Sequence, residues 1–149
     1  MIRPARPADE PAIRACAIAA YQRYIAVIGR KPAPMTADFA AQIAAGQVYV
    51  ARDDNDQPTG FIVFYPDDAI AMMLENIAVA PDHAGRGIGK RLMAFCEDTA
   101  RQLGFSHVRL YTNEKMTENL AIYPHLGYVE TGRRNEDGFN RVYFEKALA

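Results

Sequence analysis

Alternating glycines mark the segment of this sequence best suited to chemistry. They lie at three alternate positions: Gly85, Gly87 and Gly89. An apolar stretch precedes them and an amphipathic pattern with helical spacing follows them. Glycines at a helix start leave the backbone N–H groups unshielded, and the positive helix end also attracts anions. The same segment carries three basic side chains: Arg86, Lys90 and Arg91. The segment therefore predicts a phosphate or pyrophosphate site, with a simple glycine turn as the alternative.

Two common nucleotide motifs do not fit this segment. A Walker loop needs a lysine followed by serine or threonine, whereas Lys90 is followed by Arg91. A dinucleotide fingerprint needs Gly-x-Gly-x-x-Gly after a parallel strand, whereas here the spacing is Gly-x-Gly-x-Gly after a stretch expected in an antiparallel meander. The spacing and context therefore disfavour both nucleotide sites.

Glu75 is the candidate general base. It interrupts the apolar run 70–79 that leads into the glycines. A carboxylate among apolar residues is costly unless it is exposed or paired. Partial burial would favour proton uptake by this side chain, directly or through a water molecule. The alternative is a structural ion pair, with Arg109 on the next strand as its partner.

The hydrophobic pattern indicates which elements position these groups. It predicts strands over residues 2–6, 48–51, 60–65, 70–79, 108–111, 128–131 and 141–145. It predicts helices from Asp9 to a stop at Gly29, from Thr36 to a stop at Gly46, and over 86–103 and 119–126. Asp9 and Thr36 are the expected N-caps. Residues 135–138 are expected to form a polar loop. This order predicts a mixed α/β fold.

Composition limits the class of protein. The chain has 149 residues, which predicts one domain over 1–149. A net charge of −1 disfavours general binding to nucleic acid or to a membrane surface. No apolar run is long enough to span a membrane. Cys16 and Cys96 share no motif, so neither a metal site nor a disulfide is expected. We predict a soluble, cytoplasmic protein.

Two segments resemble the GNAT family of N-acetyltransferases. Ala84-Gly-Arg-Gly-Ile-Gly89 resembles the family's acyl-CoA motif, Gln/Arg-x-x-Gly-x-Gly/Ala, except that Ala84 lacks the usual long side chain. Tyr123-Pro-His-Leu-Gly-Tyr128 resembles its Tyr-x-x-x-Gly-Phe/Tyr element. The resemblance covers essentially the whole chain. It implies the GNAT fold, in which a mixed sheet is splayed near its centre, with acetyl-CoA as co-substrate and no metal.

The resemblance also implies roles for individual residues. The pyrophosphate would be bound along Ala84, Gly85, Arg86, Gly87, Ile88, Gly89 and Lys90. Ile77 and Val79 would pair their backbones with the pantetheine arm. Asn119, or alternatively Asn113, would contact the arm because Met116 stands where the family commonly has asparagine. A backbone N–H between residues 76 and 78 would stabilise the oxyanion. Tyr123 would be the acid near the sulfur, with simple packing as the alternative.

The acceptor is the least defined part of the prediction. We expect its pocket between the first two helices and a loop at 132–140. The expected lining is Tyr21, Tyr24 and Phe39, and the expected rim is Arg134, Glu136 and Asp137. His83, His107 and His125 are further titratable candidates without metal-ligand spacing.

The predicted function is direct transfer of an acetyl group from acetyl-CoA to a primary amine of a small molecule. One alternative is a non-catalytic acyl-CoA sensor of the same fold. Another is an acetyltransferase that acts on a protein or peptide amine. The sequence leaves a homodimer open.

Overall fold

The protein forms a mixed α/β fold with one seven-stranded sheet. The computed structural model describes all residues, Met1–Ala149. The strands are β1 (Ile2–Pro4), β2 (Val48–Arg52), β3 (Pro58–Pro66), β4 (Ala71–Val79), β5 (His107–Asn113), β6 (Val129–Glu136) and β7 (Phe139–Ala147). The helices are α1 (Glu10–Tyr21), α2 (Ile25–Ile28), α3 (Phe39–Ala44), α4 (Ile88–Gln102) and α5 (Thr117–His125). None of these helices is both long and apolar enough to cross a membrane.

The strand order is β1-β2-β3-β4-β5-β7-β6. β4 and β5 pair in parallel, whereas β1–β2, β2–β3, β5–β7 and β6–β7 pair antiparallel. The parallel register runs from Ala71↔His107 to Leu74↔Leu110 and does not include the last five residues of β4. The mixed fold predicted from the sequence is therefore confirmed.

The chain divides into two compact units. The N-terminal unit comprises Met1–Phe64 and Glu75–Cys96, and the C-terminal unit comprises Tyr65–Leu74 and Glu97–Ala149. In the N-terminal unit, the Phe39 ring of α3 packs edge-on against Phe61 of β3 at 5.4 Å. Tyr49 stacks on Phe64 at 5.1 Å and also contacts Phe95 of α4 at 4.8 Å. The buried aromatic rings thus join helices to strands inside this unit.

Glycines end the helical segments as predicted. Gly29, Gly46, Gly104 and Gly127 all adopt positive φ angles, between 73° and 93°. Glycine reaches this left-handed conformation without a Cβ clash, so it is well suited to stop a helix. The first predicted helix is less regular than expected, because a 3₁₀ turn at Gln22–Tyr24 separates α1 from α2.

Asp9 stands at the predicted N-cap position of α1, whereas the N-cap predicted at Thr36 is wrong. Asp9 makes no side-chain cap to α1, and instead accepts the Arg6 backbone N–H at 2.8 Å and the Arg3 guanidinium at 2.7 Å. Thr36 ends a 3₁₀ turn, and Asp38 caps α3 by accepting the Ala41 N–H at 3.1 Å. In each case a nearby donor or acceptor competes with the cap suggested by local sequence.

The predicted loop at 132–140 is also wrong. Residues 129–136 and 139–147 are paired strands, and Asp137 and Gly138 alone form the turn, with φ angles of 53° and 80°. Two positive φ angles in an Asp-Gly pair are typical of a type I′ hairpin turn. β6 lies at the edge of the sheet, where polar residues are tolerated on both faces, so its strand character is weak in the sequence.

Replacing Arg3 with methionine should destabilise the protein by about 2 kcal/mol at neutral pH. Arg3 binds both carboxylate oxygens of Asp9, at 2.7 and 3.1 Å, and its Nε donates to Asp56 at 2.8 Å. These bonds hold the pKa of Asp9 below its usual range. A carboxyl with a lowered folded-state pKa stabilises the fold above its unfolded pKa of about 4 and loses that contribution as the pH falls through the lowered value.

Urea unfolding at pH 7 and at pH 3 would measure this loss. The matched control is Arg6→Met, because Arg6 also binds Asp56, at 2.9 Å, but its side chain is 61% exposed. The control should lose less than about 0.5 kcal/mol. A deficit for Arg3→Met that does not shrink at the lower pH would contradict the electrostatic explanation.

Candidate functional site

The glycine segment forms an open loop between β4 and α4. A 3₁₀ turn at Pro81–His83 precedes it, and Gly85 and Gly87 have φ angles of 79° and 78°. A Cβ at Gly85 would meet no atom within 4 Å. Positive φ angles on either side of Arg86 alternate the local handedness of the backbone, an arrangement that can turn successive N–H groups towards one point. The loop therefore offers an uncovered set of donors at the start of a 15-residue helix.

Two of the three basic side chains of the segment, Arg86 and Arg91, bind within it. Arg91 Nη1 donates to the Arg86 carbonyl at 3.2 Å and would lie 3.6 Å from a Cβ at Gly87. Arg86 Nη1 lies 3.1 Å from His83 Nδ1, which must accept because the guanidinium only donates. A cavity of about 330 Å³ adjoins these side chains, and Arg52, Asp53 and Asp54 also line it. Three arginines thus lie beside the uncovered N–H groups, and two carboxylates offset part of their positive charge.

The other predicted loop residues have mixed outcomes. The Ala84 N–H already donates to the Pro81 carbonyl at 3.2 Å. Ile88 is buried in the core, so only its backbone faces the loop. A Cβ at Gly89 would meet Val79 at an ordinary 3.7 Å, so close packing does not require glycine there.

The end of β4 presents backbone groups away from β3. The Ala80 N–H donates to the Thr59 carbonyl at 2.9 Å, and alternation along a strand then directs the groups of Ile77 and Val79 to the opposite edge. These are the two residues predicted to pair with an extended ligand. The Ile77 carbonyl, however, already accepts the Tyr21 hydroxyl at 2.6 Å.

Glu75 is half-buried and binds Gln42 of α3. The Gln42 Nε2 lies 2.5 Å from Glu75 Oε2. The suggested ion pair with Arg109 is wrong, because the Arg109 guanidinium binds three other carboxylates. Those partners are Asp67 at 3.0 Å, Asp68 at 2.6 Å and Glu145 at 2.7 Å. The amide partner of Glu75 was missed because no local pattern links residues 33 positions apart.

Tyr21 fixes the residue after Glu75. Its hydroxyl lies 3.0 Å from Asn76 Oδ1, and Asn76 Nδ2 donates to the Pro34 carbonyl at 3.1 Å. The three aromatic residues predicted to line the acceptor pocket are all buried. Tyr21 and Tyr24 are each 8% exposed and Phe39 only 1%, so these aromatic side chains belong to the core.

The predicted acidic rim is a neutralised hairpin. Glu136 accepts a very short hydrogen bond from the Tyr143 hydroxyl and also lies 3.7 Å from Arg141. Burial raises the pKa of Tyr143, and the Glu136 carboxylate raises it further, to about 12. Arg134 stacks over the Tyr143 ring at 4.5 Å. The expected rim residues therefore lie on a paired hairpin, where Glu136 already has partners.

Tyr123 and Asn119 lie on α5 in the C-terminal unit. Tyr123 is 8% exposed and packs against Tyr128 at 6.0 Å and Phe144 at 5.7 Å. Asn119 Nδ2 donates to Thr112 Oγ1 at 3.2 Å, which ties α5 to β5. Asn113, its alternative, uses Oδ1 to accept the Lys115 N–H at 2.9 Å. Each asparagine therefore has a structural bond as well as its predicted ligand role.

The remaining histidines have separate surroundings. His107 Nδ1 lies 2.7 Å from Ser106 Oγ, and its Nε2 lies 3.8 Å from Glu145. His125 is exposed at the end of α5. No group of three His, Cys, Asp or Glu side chains is arranged to hold a metal ion.

Comparison with known proteins gives a consistent family. The model of the acetyltransferase (GNAT) family matches residues 16–128. The chain is 30% identical over 105 residues to L-amino acid N-acyltransferase MnaT of Escherichia coli (strain K12), over 67% of this chain and 60% of that protein. It is 29% identical over 96 residues to Peptidyl-lysine N-acetyltransferase YjaB of Salmonella typhimurium, over 64% of this chain and 59% of that protein.

The chain spans between about a fifth and three-fifths of the length of the curated relatives it matches. Among solved structures, a GNAT family acetyltransferase from Elizabethkingia anophelis with acetyl-CoA bound has a TM-score of 0.76 and 21% identity. That match covers 99% of this chain and 97% of the solved one. At this identity the likeness concerns the fold.

Proposed function

We propose that this chain, which belongs to the acetyltransferase (GNAT) family, transfers the acetyl group of acetyl-CoA to the primary amine of a small molecule. The observation that carries the proposal is the glycine loop. Its space above Gly85 is open, its backbone donors precede a long helix, and arginines lie beside it. A diphosphate matches all of these properties.

The residues of β4 also suit the acyl donor. The register with β5 ends at Leu74, so the outward-facing backbone of Ile77 and Val79 can pair with an extended amide-containing arm. The Tyr21 hydroxyl occupies one lone pair of the Ile77 carbonyl oxygen. The Ile77 N–H can still donate to the arm, and the second lone pair of the carbonyl oxygen can still accept from it. The bound acetyl-CoA of the Elizabethkingia anophelis structure supports the same donor.

Two side chains supply the proton transfers in this proposal. Acetyl-CoA brings an acetyl group activated as a thioester. An alkylammonium with a pKa near ~10 must lose a proton before its nitrogen can attack. Glu75 accepts that proton, directly or through a water molecule, before the N–C bond forms, and the nitrogen releases its second proton to solvent as the amide forms. Tyr123 donates a proton to the sulfur as the C–S bond breaks, and a backbone N–H between residues 76 and 78 donates to the carbonyl oxygen.

Direct transfer is favoured over an acyl-enzyme. Both cysteines, Cys16 and Cys96, are buried. Burial raises the pKa of the Cys16 thiol to about 11, so this group stays protonated and is a poor nucleophile at neutral pH. The amine would therefore attack the acyl donor while both substrates are bound.

The relatives differ on whether the acceptor amine belongs to a small molecule or to a protein. The relative named for L-amino acids fits a small amine, whereas the relative named for peptidyl-lysine makes a protein amine the second candidate. The test is amine-dependent release of free thiol from acetyl-CoA. We would screen amino acids, polyamines, aminoglycoside-type amines and lysine peptides, with mass spectrometry of the products.

We expect acetylated product and free thiol in equal amounts with at least one small amine. Turnover of lysine peptides alone would replace the small-molecule acceptor with a protein acceptor. Binding of acetyl-CoA without turnover of any amine would favour the non-catalytic sensor. Absence of acetyl-CoA binding would overturn the proposal.

A further inference from the structure

Gln42 has a buried oxygen without a partner. No protein group donates a hydrogen bond to its Oε1, although this atom is shielded from solvent. The amide orientation is fixed by its other end, because Nε2 lies 2.5 Å from the Glu75 carboxylate, where an oxygen would be repelled. Buried polar atoms in native proteins nearly always have partners, and each exception needs an explanation, a catalytic role among them.

The unpaired oxygen argues against a purely stabilising role. An apolar side chain of the same length would remove the unsatisfied acceptor and lose only one bond to a half-buried carboxylate. The contact to Glu75 is thus accompanied by a buried oxygen that no protein group satisfies. The free-energy cost of that oxygen is explained if the contact supports Glu75 as the general base.

The neighbours of Glu75 are held in the same way. Asn76 Nδ2 donates to the Pro34 carbonyl at 3.1 Å, and the Tyr21 hydroxyl donates to the Ile77 carbonyl at 2.6 Å. Three successive residues of β4 are therefore fixed by groups from α1, from α3 and from the 3₁₀ turn that contains Pro34. A catalytic base must be held within about 0.5 Å of its productive geometry. Hydrogen bonds from residues that do not touch the substrate provide that support.

We propose that Gln42 is a positioning residue that aims the Glu75 carboxylate at the acceptor amine. The inference rests on the proposed function, in which Glu75 takes the amine proton. Gln42 does not touch the reacting atoms. Its Nε2 occupies one carboxylate oxygen and so fixes the rotation of the group.

The test uses Gln42→Met, which keeps the unbranched shape but has no amide. We expect kcat/KM for the amine to fall about tenfold, while the affinity for acetyl-CoA stays unchanged. The midpoint of urea unfolding should equal or exceed that of the wild type, because the unpaired oxygen is gone. The matched control is Gln47→Met, the same change just after α3, which should leave all three quantities unchanged.

A double-mutant cycle with Glu75→Gln separates positioning from general damage. If Gln42 acts through Glu75, Gln42→Met should cause no further loss of kcat/KM in the Glu75→Gln background. Two independent losses would overturn the inference. So would unchanged activity of Gln42→Met, or a loss of activity matched by a loss of stability.

The inference and the proposed function can fail separately. Full activity of Glu75→Gln would show that Glu75 is not the base, which overturns the role of Gln42 and leaves acetyl transfer intact. A wild-type protein that binds acetyl-CoA but acetylates no amine would overturn both.

Discussion

Substituting Gly87 with aspartate should weaken acetyl-CoA binding about 100-fold, or about 2.7 kcal/mol. The side chain would enter the open surface of the loop, where a Cβ meets only Arg91 Nη1, at 3.6 Å. Its carboxylate would repel a diphosphate and pair with Arg91. Aspartate already adopts positive φ angles in this chain at Asp56 and Asp137, so the backbone strain at Gly87 is tolerable.

Calorimetric titration with acetyl-CoA would measure the effect of Gly87→Asp. Gly87→Asn has nearly the same shape without the charge, and should weaken binding about tenfold. Gly29→Asp is the control for strain, because Gly29 has a φ of 91° and no atom within 4 Å of its Cβ position. It should bind acetyl-CoA as the wild type does.

Two results would count against the assigned pyrophosphate site. Wild-type affinity in Gly87→Asp would mean that the diphosphate does not lie on this loop. Equal weakening in Gly29→Asp would mean that left-handed strain, and not the location, determines the loss.

Features formed by neighbouring residues were predictable from the sequence. The glycine loop is built from contiguous residues, so a turn with positive φ angles at the start of α4 follows from its composition, while its anion site stays a prediction. The helix stops at Gly104 and Gly127 follow from the low cost of positive φ in glycine. The family assignment made from the two motifs is confirmed by the match over residues 16–128.

Features that depend on distant partners were not predictable. Asp9 is a good N-cap by its local sequence, but Arg3 and Arg6 compete for its carboxylate. The Gln42–Glu75 contact joins a helix to a strand, and nothing in either segment marks the other. Local sequence lists the acceptors and donors of a side chain, whereas the fold decides which partners meet.

The hairpin at Asp137 shows a different source of error. Its Asp-Gly pair is a strong turn signal, but the surrounding polar residues were interpreted as a loop. A strand at a sheet edge has few apolar contacts, so periodicity is a poor guide there. The rim expected for the acceptor pocket depended on that loop, and its residues lie instead on a paired hairpin.

Replacing Tyr123 with phenylalanine should lower kcat about 100-fold, within the range for loss of a general acid. The ring contacts to Tyr128 and Phe144 remain, so folding should change little. The affinity for acetyl-CoA should also remain, because only a hydroxyl is lost. Saturating steady-state kinetics with the best amine would give kcat, and calorimetry would give the affinity.

Tyr128→Phe is the matched control, since it removes a hydroxyl from the ring that Tyr123 contacts. The Tyr128 hydroxyl donates to Glu97 at 3.0 Å, while Lys146 also binds Glu97, at 2.9 Å. The control should therefore lose about 1 kcal/mol of stability and retain kcat. If Tyr123→Phe instead loses stability and keeps kcat, its hydroxyl is structural, and the proton for the thiolate must come from water or from another side chain.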